Sequence, residues 1–259
     1  MNLVSYSAIP AWGFAVLFLT GLVAGFVDSI AGGGGLITLP VLLSLGLPPQ
    51  FALGTNKLQA TFGSATAAWH YTRAGLVDLH KCKWGIVFTI VGATAGTVTV
   101  QHLDATFLKH FIPVVLIAIA AYMFFKPQLG AEDIHPRMKT GIFYLVVGLG
   151  LGFYDGFIGP GTGTFWTMAL MLGLGFNLTK ATAHTKVMNF ASNITSLTFF
   201  ACAGQMYVAA GLAMGAGQLL GARAGSSLVV TKGTKFIRPI FLATVLVVTV
   251  KLLFDSYRK

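Results

Sequence analysis

Apolar runs of roughly 18 to 25 residues recur along the whole chain, and they restrict its fold more than any other feature. Inside a bilayer core the backbone N–H and C=O groups must pair within the protein, so spanning segments are helices or closed barrels. Only 9% of the residues are charged, against about 25% in an average soluble domain, and mean hydropathy is +0.78. Too few polar residues remain to cover a soluble surface. The chain is predicted to be an all-α polytopic membrane protein.

The charge balance of the chain fits loops that flank membrane spans. Lys and Arg number 17 against 7 Asp and Glu, which gives a net charge of +10. In a soluble protein this balance would indicate nucleic acid as a partner. Here most basic residues flank apolar runs, as they do in the cytoplasmic loops of inner-membrane proteins. We therefore expect a multi-pass protein of a bacterial inner membrane, with the lipid bilayer and no nucleic acid as its partner.

The chain consists of two similar halves. Polar and glycine landmarks recur 127 residues later at the start of each half, and 129 residues later after a two-residue insertion. The aligned landmarks are Asp28 with Asp155, Lys57 with Lys186, Gly75 with Gly204, GATAGT (92–97) with GARAGS (221–226), and FLKHF (107–111) with FIRPI (236–240). Their order predicts a single membrane domain over 1–259, with repeat one at about 10–126, repeat two at about 140–256 and a cytoplasmic linker at about 127–139.

Each half divides into five apolar segments, of which the first is broken by glycines and the second is short. The segments lie at about 12–31, 35–46, 51–72, 84–101 and 107–125 in the first half, and at about 141–158, 163–174, 180–203, 207–230 and 236–254 in the second. A second segment of about twelve residues covers roughly 18 Å of a core of roughly 30 Å. Each repeat is therefore predicted to contain a broken or re-entrant helix pair plus three spanning helices.

The charges of equivalent loops predict that the two halves have opposite orientations. The loop 73–83 carries three basic residues, whereas its equivalent at 202–207 carries no charge. Conversely, 232–238 is strongly basic, while its equivalent around 103–109 has only one Asp and one Lys. Because basic loops face the cytoplasm, equivalent loops are expected on opposite sides of the membrane. This is the pattern of two inverted-topology repeats, with both termini outside.

A carboxylate stands beside each backbone break. Asp28 precedes the glycines that include Gly34, and Asp155 precedes the cluster that includes Gly161. An ionisable residue within a membrane indicates a functional site. A helix that starts after such a break offers free N–H groups and a positive dipole end to an anion. Three roles stay open for the carboxylates: holding the geometry of the break or pairing with a lysine, titrating to couple transport, or lying at the interface.

Two lysines at equivalent positions are candidate ligands for an anion. Lys57 lies in GTNKLQ and Lys186 in AHTKVMN, each at the start of the third segment of its half. The alternative is that both side chains extend to the interface from a helix end. Polar neighbours favour a binding role, and the substrate-binding candidates among them are Asn56, Gln59, His184, Thr185, Asn189 and Asn193. We expect two lysines and two helix N-termini to converge on one anion.

Arg223 breaks the symmetry of the halves, because Thr94 occupies the equivalent position. It is expected either to bind substrate or to pair with a buried aspartate. Gly217, Gly221 and Gly225 recur every four residues around it, which predicts a helix face for close packing.

Soluble catalytic and cofactor motifs do not fit the chain. GPGTG departs from the dinucleotide-binding pattern, and no Lys-Ser or Lys-Thr follows GGGGLIT as a phosphate-binding loop requires. The six histidines and two cysteines show no metal-ligand spacing, and no Ser/His/Asp arrangement stands out. We therefore expect no cofactor, no metal and no enzymatic activity.

Two long motifs resemble the sulfite exporter TauE/SafE family of bacterial membrane proteins. They are GFVDSIAGGGGLITLPVLLSLGLPPQFALGTNKLQ and GFYDGFIGPGTGTFWTMALMLGLGFNLTKATAHTKVMNFASN, and the resemblance covers about residues 10–254. It implies a duplicated membrane domain that moves sulfite, small organosulfonates or related sulfur-containing anions. Gly32 to Gly35 match the family pattern. The second half has Pro160 and Thr162 where the first has Gly33 and Gly35, so the site is only pseudo-symmetric.

The combined prediction is an inner-membrane exporter of sulfite or small organosulfonates with one binding site near the midplane. A proton-coupled, alternating-access mechanism is one form of it, and homo-oligomer formation is left open. A passive anion channel is the close alternative. An intramembrane enzyme or assembly factor is the alternative from another class.

Overall fold

The computed structural model describes residues 9–125 and 135–233, which form helices joined by short turns and contain no strand. The helices are α1 (Ala11–Ala31), α2 (Gly34–Ser44), α3 (Pro49–Arg73), α4 (Leu79–Gln101), α5 (Ala105–Phe125), α6 (Thr140–Phe157), α7 (Thr162–Leu174), α8 (Leu178–Cys202) and α9 (Val208–Lys232). The prediction of an all-α membrane fold is confirmed. The expected segment at 236–254, the basic residues from 234 to 238 and most of the linker at 127–139 lie outside the described residues.

Length and composition distinguish two kinds of long helix in the described part of the chain. Three helices, α1, α4 and α6, are both long and apolar enough to cross a membrane. A second set, α3, α8 and α9, has 25 residues per helix, or about 37 Å, but is less apolar. Among the described residues, most of the buried polar side chains lie on α3 and α8. Helices α3 and α8 therefore form the polar interior of the fold.

Glycine seams bring two pairs of helices into backbone contact. A Cβ atom on Gly217 or Gly221 of α9 would overlap the backbone of α1, and Gly225 lies equally close to α1. The close-packing face expected on α9 is therefore present. Gly92 and Gly96 of α4 make the equivalent contact with α6. The first helix of each half thus packs against the fourth helix of the other half.

Contacts between helices reveal which of them run in the same direction. Along the contact of α3 with α9 and the turn before it, residue numbers rise on both sides, from Gly54 with Gln205 through Leu58 with Gly211 to His70 with Ser226. The same holds for α1 with α9, from Gly21 with Met214 through Gly25 with Gln218 to Ser29 with Gly225. Both pairs of helices are therefore parallel. Contacts of α4 advance in the same way along α6 (Thr89 with Gly152, Ala93 with Gly156) and α8 (Gly85 with Met188, Thr97 with Ser196). The end of α8 lies beside the start of α3, where Tyr207 N donates to Thr55 Oγ1 at 2.9 Å. Therefore α1, α3 and α9 run opposite to α4, α6 and α8.

Each half contains a hairpin in which a short helix turns back after a glycine break. Helix α1 ends at Ala31, and Gly32 follows with φ +82°, a left-handed conformation that glycine adopts without steric cost. Helix α2 then returns along α3, where Thr38 Oγ1 donates to Asn56 Oδ1 at 2.6 Å. In the second half, Gly161 with φ +81° precedes α7. These hairpins are the broken or re-entrant pairs expected from the sequence.

Candidate functional site

The two backbone breaks cross each other in direct contact. A Cβ atom on Gly32 would lie 2.5 Å from the carbonyl carbon of Gly163, and one on Gly163 would lie 2.6 Å from the Cα of Gly32. A Cβ atom on Gly35 would lie 3.1 Å from the Cα of Pro160. No side chain fits between backbones this close. The glycine clusters are therefore needed where the start of α2 meets the start of α7.

A buried ion pair ties α3 of the first half to α6 of the second. Lys57 Nζ lies 2.7 Å from Asp155 Oδ1, and the two side chains are 1% and 5% exposed. The same ammonium donates to the backbone oxygen of Asp155 at 2.5 Å and to Asn193 Oδ1 at 3.3 Å. All three donors of the lysine are thus used within the protein.

Ser192 of α8 also binds Asp155. Its hydroxyl group donates to Asp155 Oδ2, and it is fully buried. The carboxylate therefore has a hydrogen-bond donor on each of its two oxygens. Charge-assisted bonds of this kind offset the cost of burying a carboxylate.

A second ion pair also joins the two halves, with its lysine in the second half and its aspartate in the first. Lys186 Nζ of α8 lies 3.0 Å from Asp28 Oδ2 at the end of α1. Asp28 Oδ1 accepts a hydrogen bond from Gly34 N, at the start of α2, at 3.1 Å. The lysine side chain is 1% exposed, but the Asp28 side chain is 22% exposed. The two pairs are equivalent by sequence and differ in accessibility.

A cavity of about 30 Å³ lies where the breaks and the ion pairs meet. Its volume is enough for about one or two water-sized groups. Glycine backbone, carboxylates and amides dominate its wall, while Lys186 does not belong to it. The lining residues are Asp28, Gly32, Gly34, Gly35, Asn56, Lys57, Gln59, Ala60, Asp155, Gly159, Gly161, Thr162, Gly163, Asn189, Asn193 and Gln218.

Comparison with known proteins decides the family. The sequence model of the family described as Sulfite exporter TauE/SafE matches residues 17–252. The chain belongs to this family. A "Probable membrane transporter protein" of Haemophilus influenzae is 45% identical over 242 residues, which cover 93% of this chain and 95% of the relative. The "Probable membrane transporter protein YfcA" of Escherichia coli K12 is 46% identical, covering 93% of this chain and 90% of the relative.

A more distant relative is a plant protein, "Sulfite exporter TauE/SafE family protein 6" of Arabidopsis thaliana. It is 28% identical over 106 residues, which cover 41% of this chain and 24% of the relative. No solved structure matches the chain. The predicted TauE/SafE membership is confirmed, and the protein is a membrane transporter of this family.

The structure of this TauE/SafE protein brings most of the predicted site residues to one place. Asn56, Gln59, Asn189, Asn193, Gly34 and Gly161 line the cavity together with Lys57 and the two aspartates. Gln59 Nε2 donates to Asn56 Oδ1 at 2.8 Å, so both amides are fixed by the network that includes Thr38. Lys186 reaches the cavity only through Asp28.

Three predicted residues lie away from the cavity of this TauE/SafE protein. His184 bonds to Lys180 O at 2.8 Å and packs on the ring of Phe176, whereas Thr185 lies 3.1 Å from Thr167. Arg223 is exposed on α9 and forms no ion pair with an aspartate in the described part of the chain. The expected pairing with a buried aspartate is therefore absent from this part of the chain, because the glycines around the arginine, and not the arginine itself, face α1.

Sequence reasoning overlooked Ser192, Gln218 and Thr38. Ser192 carries no charge, so only its position between Asn189 and Asn193 could have drawn attention to it. Gln218 lines the cavity from α9 and is 2% exposed. No group of His, Cys, Asp and Glu that could hold a metal occurs among residues 9–125 and 135–233.

Proposed function

We propose that this transporter exports a small anion, sulfite or a small organosulfonate, across the bacterial inner membrane. One observation carries the proposal. The protein already holds an anionic group, the Asp28 carboxylate, between a helix N-terminal N–H of Gly34 and the ammonium group of Lys186. A lysine and a helix N-terminus are the donors that stabilise an anion outside water. A free anion of similar size would be recognised by the same groups.

The site residues that we propose for the substrate are those around the crossing of the breaks. The starts of α2 and α7 each supply a positive dipole end of about half a charge, and lysine supplies a full one. Amide groups of Asn56, Asn189 and Asn193 can donate to oxygen atoms of the anion, and Gln59, which donates to Asn56 and Thr38, holds Asn56 in place. Glycine backbone allows the anion to approach closely.

Helix directions support an inverted repeat within one membrane domain over 1–259. Equivalent helices of the two halves, α1 and α6, α3 and α8, and α4 and α9, run in opposite directions. Repeats with this relation favour alternating access around a fixed central site. We propose repeat one at about 10–126, repeat two at about 140–256 and a cytoplasmic linker at about 127–139, with no enzymatic step.

The charges of the site favour coupling to protons. Lys57, Lys186, Asp28 and Asp155 sum to zero when all are ionised, so an entering anion adds an uncompensated negative charge. A charge without a counterion is costly in a low-dielectric site. Protonation of one aspartate would restore neutrality. A passive anion channel needs no such step, which separates the two alternatives experimentally.

The first prediction tests the transported class. Purified protein is heated with sulfite, methanesulfonate, sulfate, chloride and acetate, and sulfite or methanesulfonate is expected to raise the melting temperature selectively because it binds the folded state. Proteoliposomes then measure flux, which should saturate with anion concentration and respond to a pH gradient. Flux that stays linear and ignores the gradient would indicate the channel. Absence of stabilisation by every anion would contradict the proposal.

A further inference from the structure

We infer that the two lysines have different tasks: Lys186 binds the transported anion after Asp28 leaves it, whereas Lys57 is a permanent clamp. The inference rests on the proposed function and assigns unequal roles to two positions that the sequence makes equivalent. Three observations carry it. They are the free N–H donors of each ammonium group, the exposure of each carboxylate, and the difference between Ser192 and the glycine at the equivalent position of the first half.

The two ammonium groups differ in the donors that remain available. Lys57 donates to two atoms of Asp155 and to Asn193, so all three of its N–H groups are engaged. Among the residues that the structure describes, Lys186 has one acceptor, Asp28 Oδ2. Two of its donors can therefore serve an anion without breaking another bond. An anion at Lys57 would instead have to displace Asn193 or Asp155.

The two carboxylates differ in how they meet the cavity. Asp28 lines the cavity and Lys186 does not, so the carboxylate separates the ammonium group from the entering ligand. Asp28 is 22% exposed, against 5% for Asp155. Asp28 is held by Gly34 N and Lys186, the donors an anion needs. Asp28 is thus an internal competitor of the substrate.

Ser192 is a positioning residue that exists in one half only. It donates to Asp155, while the equivalent position in the first half is Gly63, beside the side chain of Gln218. Asp28 therefore lacks the hydroxyl donor that fixes Asp155. At Asp28 the second donor is instead the backbone N–H of Gly34, so both carboxylates accept on two oxygens, but the Asp155 side chain is 5% exposed against 22% for Asp28. Because a more deeply buried charge is more costly to separate from its partner, the Asp155 pair stays closed while the Asp28 pair opens.

Release of Asp28 gives the site a simple charge exchange. The anion takes the place of the carboxylate at Lys186, and Asp28 takes up a proton, so the net charge of the site stays the same. The ionisable groups that face Asp28 are Lys186 on α8, Tyr71 on α3, and the Lys57–Asp155 pair across the cavity. Within the described residues, α2, α7 and the rest of α1 contribute none.

The second prediction compares matched variants of the two pairs by titration with methanesulfonate, whose own charge stays constant between pH 5 and pH 8. Asp28→Asn removes the competitor, so it should bind about tenfold more tightly than the wild type and lose the pH dependence of its affinity. Lys186→Met should bind about tenfold or more weakly, and Asp28→Asn with Lys186→Met should stay weak. Arg223→Gln, at an exposed residue that does not line the cavity, is the control for loss of a basic residue.

Paired replacement keeps the comparison valid if a single charge change prevents folding. Asp155→Asn with Lys57→Met removes the clamp without leaving a lone charge. Its loss of affinity should be at least about fivefold smaller than the loss in Asp28→Asn with Lys186→Met. Equal losses in the two double variants, or weaker binding by Asp28→Asn, would overturn the division of roles alone. A wild type that binds none of the probes would overturn the proposed function and the inference with it.

Discussion

At the residue scale, Lys57 and Lys81 show that burial decides how much an ion pair contributes to stability. Lys57 and Asp155 are almost completely buried, so removal of one partner leaves an uncompensated charge in the protein interior. By contrast, Lys81 pairs with Asp78 at 3.3 Å while its side chain is 84% exposed, where solvent screens the attraction. The same type of ion pair is thus important for stability when it is buried and contributes little when it is exposed.

The third prediction follows from this contrast. Lys57→Met should lower the free energy of unfolding by about 3–5 kcal/mol, because the Asp155 carboxylate loses its counterion in a buried site. Lys81→Met is the matched control and should leave the melting temperature close to that of the wild type. Thermal unfolding of the purified proteins measures both. Equal melting temperatures for the two variants would show that the buried pair is not a clamp.

At the element scale, the crossing of two broken helices is what the glycine clusters make possible. The sequence alone predicted the breaks, the short second helices and the carboxylates beside them, since glycine runs and apolar spacing are local signals. It did not predict which residues would meet across the crossing. Pairing of Asp28 with Lys186, and the position of Ser192, depend on how two halves more than a hundred residues apart dock together. Periodicity within one helix carries no such information.

Arg223 shows a second limit of sequence reasoning, because a residue expected at the site lies on the exposed side of its helix. An arginine in an apolar segment indicates a functional site by default. Close packing of the surrounding glycines against α1 turns the arginine to the exposed side of α9. The face that a helix presents to its neighbour is fixed by the tightest contact along it. Here that contact belongs to the glycines.

The fourth prediction tests the crossing with two glycines that have the same φ angle. Gly32 and Gly46 both have φ +82°, so alanine is strained at either position by about 1–2 kcal/mol. A Cβ atom at Gly32 would also press on the backbone of Gly163, whereas at Gly46 it would meet nothing within 4 Å. Gly32→Ala should therefore abolish flux and anion binding, and Gly46→Ala should retain both. Similar behaviour of the two variants would show that the breaks need not touch.

At the scale of the whole molecule, polar helices lie inside and apolar helices cover them. Lys57, Lys186 and the asparagines of the cavity lie on α3 and α8, while most of the exposed large apolar side chains that the structure describes occur on other helices. This is the reverse of a soluble protein and fits a lipid surround. Opposite directions of equivalent helices then place equivalent turns at opposite ends of the molecule. Orientation in the membrane follows from the charges of those turns.

The fifth prediction concerns that orientation, and the native cysteines make it direct. Cys202 is the exposed last residue of α8, next to an uncharged turn, whereas Cys82 is buried near the start of α4. Cys82→Ala leaves Cys202 as the only thiol, and Lys81→Cys with both native cysteines replaced puts one thiol in the first turn of α4, next to the turn after α3. Because basic loops remain in the cytoplasm, a membrane-impermeant maleimide added to intact spheroplasts should label Cys202 and not the thiol at position 81. Lysis should then expose position 81, which controls for reactivity. Labelling of both thiols from the same side would exclude inverted repeats, because the two thiols mark equivalent ends of α3 and α8.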